Sequence, residues 1–257
     1  MSLFATSGDA YDRFMGRYSV RLAPAFADFA GVEAGLRVLD VGCGPGALTE
    51  ELARRVGAER VVAADPAEQF VEACRGRVPG ADVRVAPAEA LPFEDAGFDV
   101  ALAQLVLSFL RDADAGAAQM RRVVREGGTV AACSWAAGDG MEMLQVFWDA
   151  AGARVEPGAQ DAENRMRYRT REELAELASG AGLQDVEIER LPVEASYEDF
   201  EDFWAPVTSA PGPVGAFYAR LDDDQRSQVR DECRRRLGDP AGPFTLAAAA
   251  WAVRGRV

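Results

Sequence analysis

The chain of 257 residues carries 28 basic and 42 acidic side chains, and its net charge of -14 disfavours nucleic acid and anionic membranes as partners. Hydrophobic residues make up 49% and charged residues 27%, which is typical of a soluble folded protein and argues against a disordered or fibrous one. The chain contains no histidine, so histidine-dependent hydrolases and histidine-ligated zinc enzymes are excluded, and we expect no metal site.

Cysteine spacing and hydropathy predict a cytoplasmic location. The four cysteines are scattered along the chain without a C-x-x-C pair, which is typical of reduced thiols. No run of 18 apolar residues and no charged-then-apolar leader occurs in the sequence. We therefore expect neither a membrane span nor export.

The first predicted element is a buried strand that runs directly into a glycine-rich turn. Residues 38–41 read VLDV, and Gly42, Gly44 and Gly46 follow in alternation. The apolar residues of 48–56 then recur at helical spacing. Glycines at a strand-to-helix turn allow positive φ and let a ligand approach bare backbone, and a helix N-terminus offers N–H donors. The pattern predicts a site for something small with a polar or negative part.

Further strand and helix units follow. Residues 59–74 predict a short strand with Asp65 at its tip and then a helix, and 81–93 predict another strand. The apolar run of 98–110 breaks at Gln104. Residues 115–128 predict a helix closed by a Gly-Gly stop, and 128–136 a further buried strand. This alternation indicates an α/β fold with a doubly wound parallel sheet and helices on both faces.

The rest of the chain predicts an antiparallel edge and two helical excursions. A helix at 170–183 precedes an alternating strand at 185–193, and the last strand lies at 244–257. We expect the excursions, 137–168 and 194–243, to lie over the carboxyl ends of the strands, where open α/β sheets bind ligands.

We therefore predict one domain with a Rossmann-like, seven-stranded, mostly parallel sheet, an antiparallel C-terminal strand and helical lid excursions. Its parts are an N-terminal lid helix (1–30), a core (31–136), the two excursions, and the late strands (169–193 and 244–257).

The glycine turn is compatible with two classes of ligand. Gly42, Gly44 and Ala47 satisfy G-x-G-x-x-A, the dinucleotide fingerprint, and Asp65 follows at the spacing of a ribose contact. Asp40 favours a different ligand, because a carboxylate at the end of this strand attracts an amine and repels a pyrophosphate. The pattern thus predicts a ligand that carries both an ammonium group and a ribose, and a nicotinamide-dependent oxidoreductase remains the alternative.

Four segments together resemble a known family. VLDVGCGPGALTEEL, then Asp65, then AEALPF and FDVALAQLVLSFL are similar to the class I S-adenosylmethionine-dependent methyltransferases, in particular to the ubiquinone/menaquinone methyltransferase-like branch that acts on small molecules. The resemblance runs from about Tyr11 to Ala136. It implies S-adenosylmethionine as the cofactor and a small-molecule methyl acceptor as the partner.

The resemblance also implies roles for individual residues. Asp40 and the backbone of the turn would hold the methionine end, and Asp65 would accept hydrogen bonds from both ribose hydroxyls. The other implied cofactor contacts in the core come from the backbone of the turn and from residues near the adenine ring, the adenine edge and the sulfonium. They are Gly42, Cys43, Gly44, Pro66, Phe70, Ala88, Glu89, Gln104 and Leu105.

The N-terminal segment resembles the family's leading helix, which folds back as a lid. Its candidate cofactor contacts are Tyr11, Met15 and Arg17, of which Arg17 suits a bidentate grip on the methionine carboxylate. Alternatives stay open: Phe70 is compatible with a core position, Asp65 with a helix N-cap, and Arg17 with an exposed helix face.

The predicted reaction is an in-line displacement at the sulfonium methyl, catalysed mainly by positioning. No residue stands out as a general base, so we assign no catalytic residue. Aromatic side chains are the candidates for an apolar acceptor pocket, although aromatics at helical spacing also fit a core. The candidates are Tyr18, Trp135, Trp148, Phe200 and Trp204. We expect a monomer or homodimer, and a binding protein that has lost turnover is the remaining alternative.

Overall fold

The structure of the chain is a computed structural model that describes residues 12–138, 140–210 and 212–257. The chain divides into two compact units. We call Ser19–Trp135, Arg167–Leu191 and Ala250–Val257 the sheet unit, and the described residues of Met1–Tyr18, Ala136–Met166 and Pro192–Ala249 the helical unit. The expectation of a single domain stays a prediction.

The elements follow in the order of the chain. The strands are Val38–Val41 (β1), Val61–Asp65 (β2), Asp82–Val85 (β3), Phe98–Gln104 (β4), Val124–Trp135 (β5), Gln184–Tyr197 (β6) and Phe244–Arg256 (β7). The α-helices are Arg17–Phe29 (α1), Ala47–Val56 (α2), Glu68–Arg77 (α3), Ala113–Val123 (α4), Glu142–Arg154 (α5), Asp161–Asn164 (α6), Arg171–Gly180 (α7), Phe200–Trp204 (α8), Gly212–Ala219 (α9) and Asp223–Arg236 (α10). A π-helical turn, Asp12–Gly16, precedes α1.

The sheet has seven strands in the order β3-β2-β1-β4-β5-β7-β6, which confirms the predicted fold class. β1 pairs in parallel with β2 and β4, and β7 runs antiparallel to β5. Every residue of β1 and of β2 is buried, as expected of strands with both faces covered. The order of connection reverses beside β1, so the carboxyl ends of β1 and β4 form the switch point where such sheets bind ligands.

One predicted boundary is wrong. The helix expected to run to the Gly-Gly stop ends at Val123, and the residues that follow belong to β5. Val124 pairs with Phe98 and Thr129 with Val100, and at Gly128 between them a Cβ would lie 2.6 Å from the carbonyl oxygen of Asp99. Glycine thus permits close strand approach here, where the register between β4 and β5 also shifts.

The helical unit contains residues 137–166 of the first predicted excursion and all of the second, and it has an aromatic core. Phe147, Trp148 and Phe217 are buried and meet edge to face, with ring centroids 5.0 to 6.0 Å apart. Arg154 of α5 donates to buried Glu232 of α10 at 2.7 Å, which ties these helices together. None of the helices among the described residues is long and apolar enough to cross a membrane.

Candidate functional site

The glycine turn after β1 is fastened to the end of β2 by its own backbone. The N–H groups of Gly42 and Cys43 both donate to the carbonyl of Ala64, at 2.7 and 3.0 Å. The N–H of Gly44 donates to Asp65 Oδ2 at 3.0 Å. These three donors therefore have partners inside the protein, and the predicted cofactor contacts of the turn stay predictions.

The absence of a side chain has a different consequence at each of two glycines of the turn. Gly42 has φ +72°, and a Cβ there would lie 2.5 Å from a methyl carbon of Val106, so the protein itself excludes a side chain. Gly44 has φ +52°, but a Cβ there would meet nothing within 4 Å. The space over Gly44 is therefore open, and bare backbone faces it.

Asp65 is buried at the carboxyl end of β2 and organises the turn. Its Oδ1 accepts from the N–H of Ala67 at 2.9 Å, while Oδ2 accepts from Gly44. Burial raises the pKa of Asp65 above its usual value, against the opposing effect of these two hydrogen bonds. Both oxygens keep further lone pairs, so the carboxylate can accept from two more donors, such as a pair of hydroxyls.

Asp40 lies one strand away and is almost fully buried, with 1% of its surface exposed. Its Oδ2 accepts a hydrogen bond of 2.6 Å from the hydroxyl of Thr49, whereas Oδ1 is buried and has no partner among the described residues. Burial raises the pKa of Asp40 to about 7, the charge of Asp65 adds to the rise, and the bond from Thr49 opposes it. A buried carboxylate oxygen without a partner is costly, so Oδ1 is available to a hydrogen-bond donor of a ligand.

We expect the Asp40→Asn variant to gain stability relative to the parent protein as the pH rises. The pKa of Asp40 is about 7 in the folded chain against an ordinary 3.8, so the stability linked to its proton is present below pH 4 and lost through pH 7. The difference should grow by up to about 1.4 kcal/mol per pH unit in that window. Urea unfolding of both proteins at pH 5, 6, 7 and 8 measures it, and a constant difference would contradict the buried position of this charge.

Two further predicted residues lie at the end of β4. Gln104 donates from Nε2 to the carbonyl of Ser19 at 3.2 Å, and its buried Oε1 has no partner among the described residues. Leu105 takes φ +63°, which is rare for a residue with a branched side chain, and its N–H donates to the carbonyl of Cys133 at 2.9 Å. Strain of this kind often accompanies functional sites.

The remaining predicted residues of the sheet unit occupy varied environments. Glu89 accepts from the backbone N–H of Arg111 and Asp112, at 3.0 and 3.4 Å, just before α4. Phe70 and Ala88 are buried, Pro66 is exposed, and Trp135 is the half-buried last residue of β5. Their roles against the adenine and the acceptor stay predictions.

In the helical unit, the predicted lid residues make contacts with distant parts of the chain. The Arg17 guanidinium donates to both carboxylate oxygens of Asp202, at 2.8 and 3.1 Å, and lies over the ring of Tyr197. The hydroxyls of Tyr18 and Tyr197 are 3.0 Å apart and buried. A grip of Arg17 on a ligand carboxylate would thus compete with Asp202, and it stays a prediction.

The other predicted residues of this unit belong to its aromatic core or lie outside the described part. Met15 is half-buried in the π-helical turn. Trp148, Phe200 and Trp204 are each at most 5% exposed and pack against neighbouring rings. Their assignment to an acceptor pocket remains a prediction. Tyr11 lies outside the described residues.

Sequence reasoning missed Thr49, whose hydroxyl is the side-chain partner of Asp40. The available signal was a threonine next to Leu48 at the start of an amphipathic helix. If such a hydroxyl is buried, it needs a hydrogen-bond partner. The burial of Thr49, which has no exposed surface, follows only from the tertiary structure.

The sheet unit thus joins a bare turn to two buried acids that have acceptor capacity left. Oδ1 of Asp40 suits an ammonium group, and Asp65 suits a diol. No side chain of the described residues caps the N-terminus of α2. These features fit a ligand with an amino-acid end and a ribose, as S-adenosylmethionine has.

Comparison with known proteins agrees with this chemistry. A family model described as a methyltransferase domain matches residues 39–132. A malonyl-[acyl-carrier protein] O-methyltransferase from Geobacter sulfurreducens is 34% identical over 189 residues, which cover 72% of this chain and 68% of that protein. The ubiquinone/menaquinone biosynthesis C-methyltransferase UbiE from Idiomarina loihiensis is 39% identical over 110 residues, 40% of this chain and 44% of that protein.

A solved structure supports the same assignment. A protein of Anaeromyxobacter dehalogenans, provisionally described as a type II methyltransferase, is 25% identical with a TM-score of 0.62, over 91% of this chain and 95% of that one. The resemblance predicted from the motifs is confirmed, and the comparisons do not support the oxidoreductase alternative. The chain belongs to the class I S-adenosylmethionine-dependent methyltransferases.

Proposed function

We propose that this methyltransferase acts on a small, neutral or hydrophobic molecule and holds its cofactor at the glycine turn. The observation that carries the cofactor site is the open space over Gly44, whose N–H donates to the buried acid Asp65. Asp40 would bind the ammonium group through Oδ1, and Asp65 would bind both ribose hydroxyls. Phe70 and Pro66 would lie against the adenine, with Gln104 and Leu105 near the sulfonium.

The chain's own contribution to the reaction would be orientation. Bound S-adenosylmethionine supplies an electrophilic methyl group on a sulfonium centre. The sequence has no histidine. A hydrogen bond with Cys74, together with burial, raises the pKa of the Cys43 thiol, and burial raises the pKa of the Cys133 thiol, so both stay protonated at neutral pH. We infer that the acceptor brings its own reactive lone pair and that the site aligns it with the methyl group.

Charge supports a free small molecule as the acceptor. The net charge of -14 would repel nucleic acid and an acidic carrier protein alike. The relative from Geobacter sulfurreducens is named for a malonyl group carried on a protein. For this chain we propose an acceptor that is not attached to a macromolecule, and a cytoplasmic location.

Calorimetry followed by transfer of a labelled methyl group tests this function. We expect saturable binding of S-adenosylhomocysteine and none of NAD, and label from tritiated S-adenosylmethionine in the low-mass, solvent-extractable fraction of a cell extract. Heat-inactivated enzyme is the control. Label confined to precipitated protein or nucleic acid would contradict the small acceptor, and binding without any transfer would identify a sensor.

A further inference from the structure

Thr49 makes a buried hydrogen bond to Asp40, to which the proposed function assigns no role. It lies in the first turn of α2, has no exposed surface, and donates from Oγ1 to Asp40 Oδ2 at 2.6 Å. That length is typical of a charge-assisted bond from a hydroxyl to a carboxylate. A threonine hydroxyl in a helix can bond to a preceding backbone carbonyl, whereas that of Thr49 donates to a side chain of β1.

A second contact sets the direction in which the Thr49 hydroxyl donates. Cys74 of α3 donates its S–H to Thr49 Oγ1 at 3.4 Å. With a lone pair engaged by the thiol, the hydroxyl directs its single hydrogen to Asp40. The chain Cys74, Thr49, Asp40 is buried throughout, with exposures of 0%, 0% and 1%.

The two oxygens of Asp40 therefore differ. Oδ2 is held by Thr49, and Oδ1 is buried without a partner among the described residues. We propose that Thr49 is a positioning residue for the cofactor: it orients the Asp40 carboxylate, favours its ionised form, and leaves Oδ1 for the cofactor's ammonium group. This inference rests on the proposed role of Asp40.

Other ionisable groups face Asp40 from the neighbouring elements. They are Asp65 on β2, Cys43 in the turn, Cys74 on α3 and Cys133 on β5. A hydrogen bond between Cys43 and Cys74 raises the pKa of Cys43 and lowers the pKa of Cys74, and burial raises the pKa of Cys133. The charge of Asp65 opposes ionisation of Asp40. Thr49 is the side chain that favours the ionised form of Asp40.

The test is the pH dependence of S-adenosylhomocysteine binding to the full-length protein, measured by calorimetry from pH 5.5 to 8.5. The pKa of Asp40, about 7, sets the expected midpoint in the parent protein. Thr49→Val keeps the shape but removes the donor, so we expect the midpoint to rise by about one pH unit. Affinity should then fall about fivefold at pH 7 and stay within about twofold of the parent at pH 8.5. Thr49→Ser should restore the parent midpoint.

Thr129→Val is the matched control, since Thr129 is also a buried threonine of the sheet unit, bonded instead to Arg256 at 2.9 Å. It should leave the midpoint unchanged. If Thr49→Val does not fold, Thr49→Ala replaces it with the same expected shift. An unshifted midpoint in the folded variant overturns the inference. If Asp40→Asn keeps the parent affinity and pH dependence, the proposed cofactor site itself fails.

Discussion

Asp65→Ala should weaken the binding of S-adenosylhomocysteine at least about 100-fold. The carboxylate has lone pairs left beyond its bonds to Gly44 and Ala67, and two hydrogen bonds from ribose hydroxyls to a charged acceptor are together worth about 3 kcal/mol or more. Calorimetric titration of the variant measures the loss. Asp82→Ala provides the control, because Asp82 is a half-exposed acid of neighbouring β3.

The variant also removes the partner of two backbone N–H groups, so loss of binding alone does not separate a ribose contact from a distorted turn. A 2′-deoxy analogue of S-adenosylhomocysteine separates them by a double-mutant cycle. The missing hydroxyl should weaken binding to the parent protein about tenfold and have little further effect on Asp65→Ala. Equal losses in both proteins would show that Asp65 does not contact the ribose.

Gly44→Leu should abolish cofactor binding and leave the protein folded. A Cβ at Gly44 would meet nothing within 4 Å, so the protein itself has room for a Cβ, and we expect the rest of the side chain to fill the space proposed for the cofactor. The positive φ of +52° should cost about 1 to 2 kcal/mol of unfolding free energy. Urea unfolding and S-adenosylhomocysteine titration together measure the two effects.

Gly238→Leu is the matched control for that substitution. Gly238 also has a positive φ, +79°, a Cβ there would likewise meet nothing within 4 Å, and the residue follows α10 in the helical unit. The control variant should lose similar stability and retain full affinity. Binding of the Gly44→Leu variant within threefold of the parent would place the cofactor elsewhere.

Local patterns were sufficient for the order of the elements and for the two acids that flank the turn. β1, the glycine turn and α2 are adjacent in the sequence, and their periodicity and glycine content are short-range properties of the chain. Asp40 and Asp65 could be located because each occupies the end of a strand whose apolar residues mark it as buried. The end of α4 was missed because Val124 and Thr129 pair with β4, a long-range contact that local periodicity does not reveal.

What this sequence settles unaided is its fold class, its family and the position of the glycine turn between β1 and α2. Hydrophobic periodicity, glycine positions and acid spacing are patterns over a few residues, so they can be recognised in the sequence alone. The hydrogen-bond partners of the polar side chains depend on the tertiary structure instead. Asp40 accepts from Thr49, Glu89 accepts from the backbone before α4, and Arg17 donates to Asp202, 185 residues away. These contacts exist only once packed helices and strands bring the groups within hydrogen-bond distance and exclude water from them.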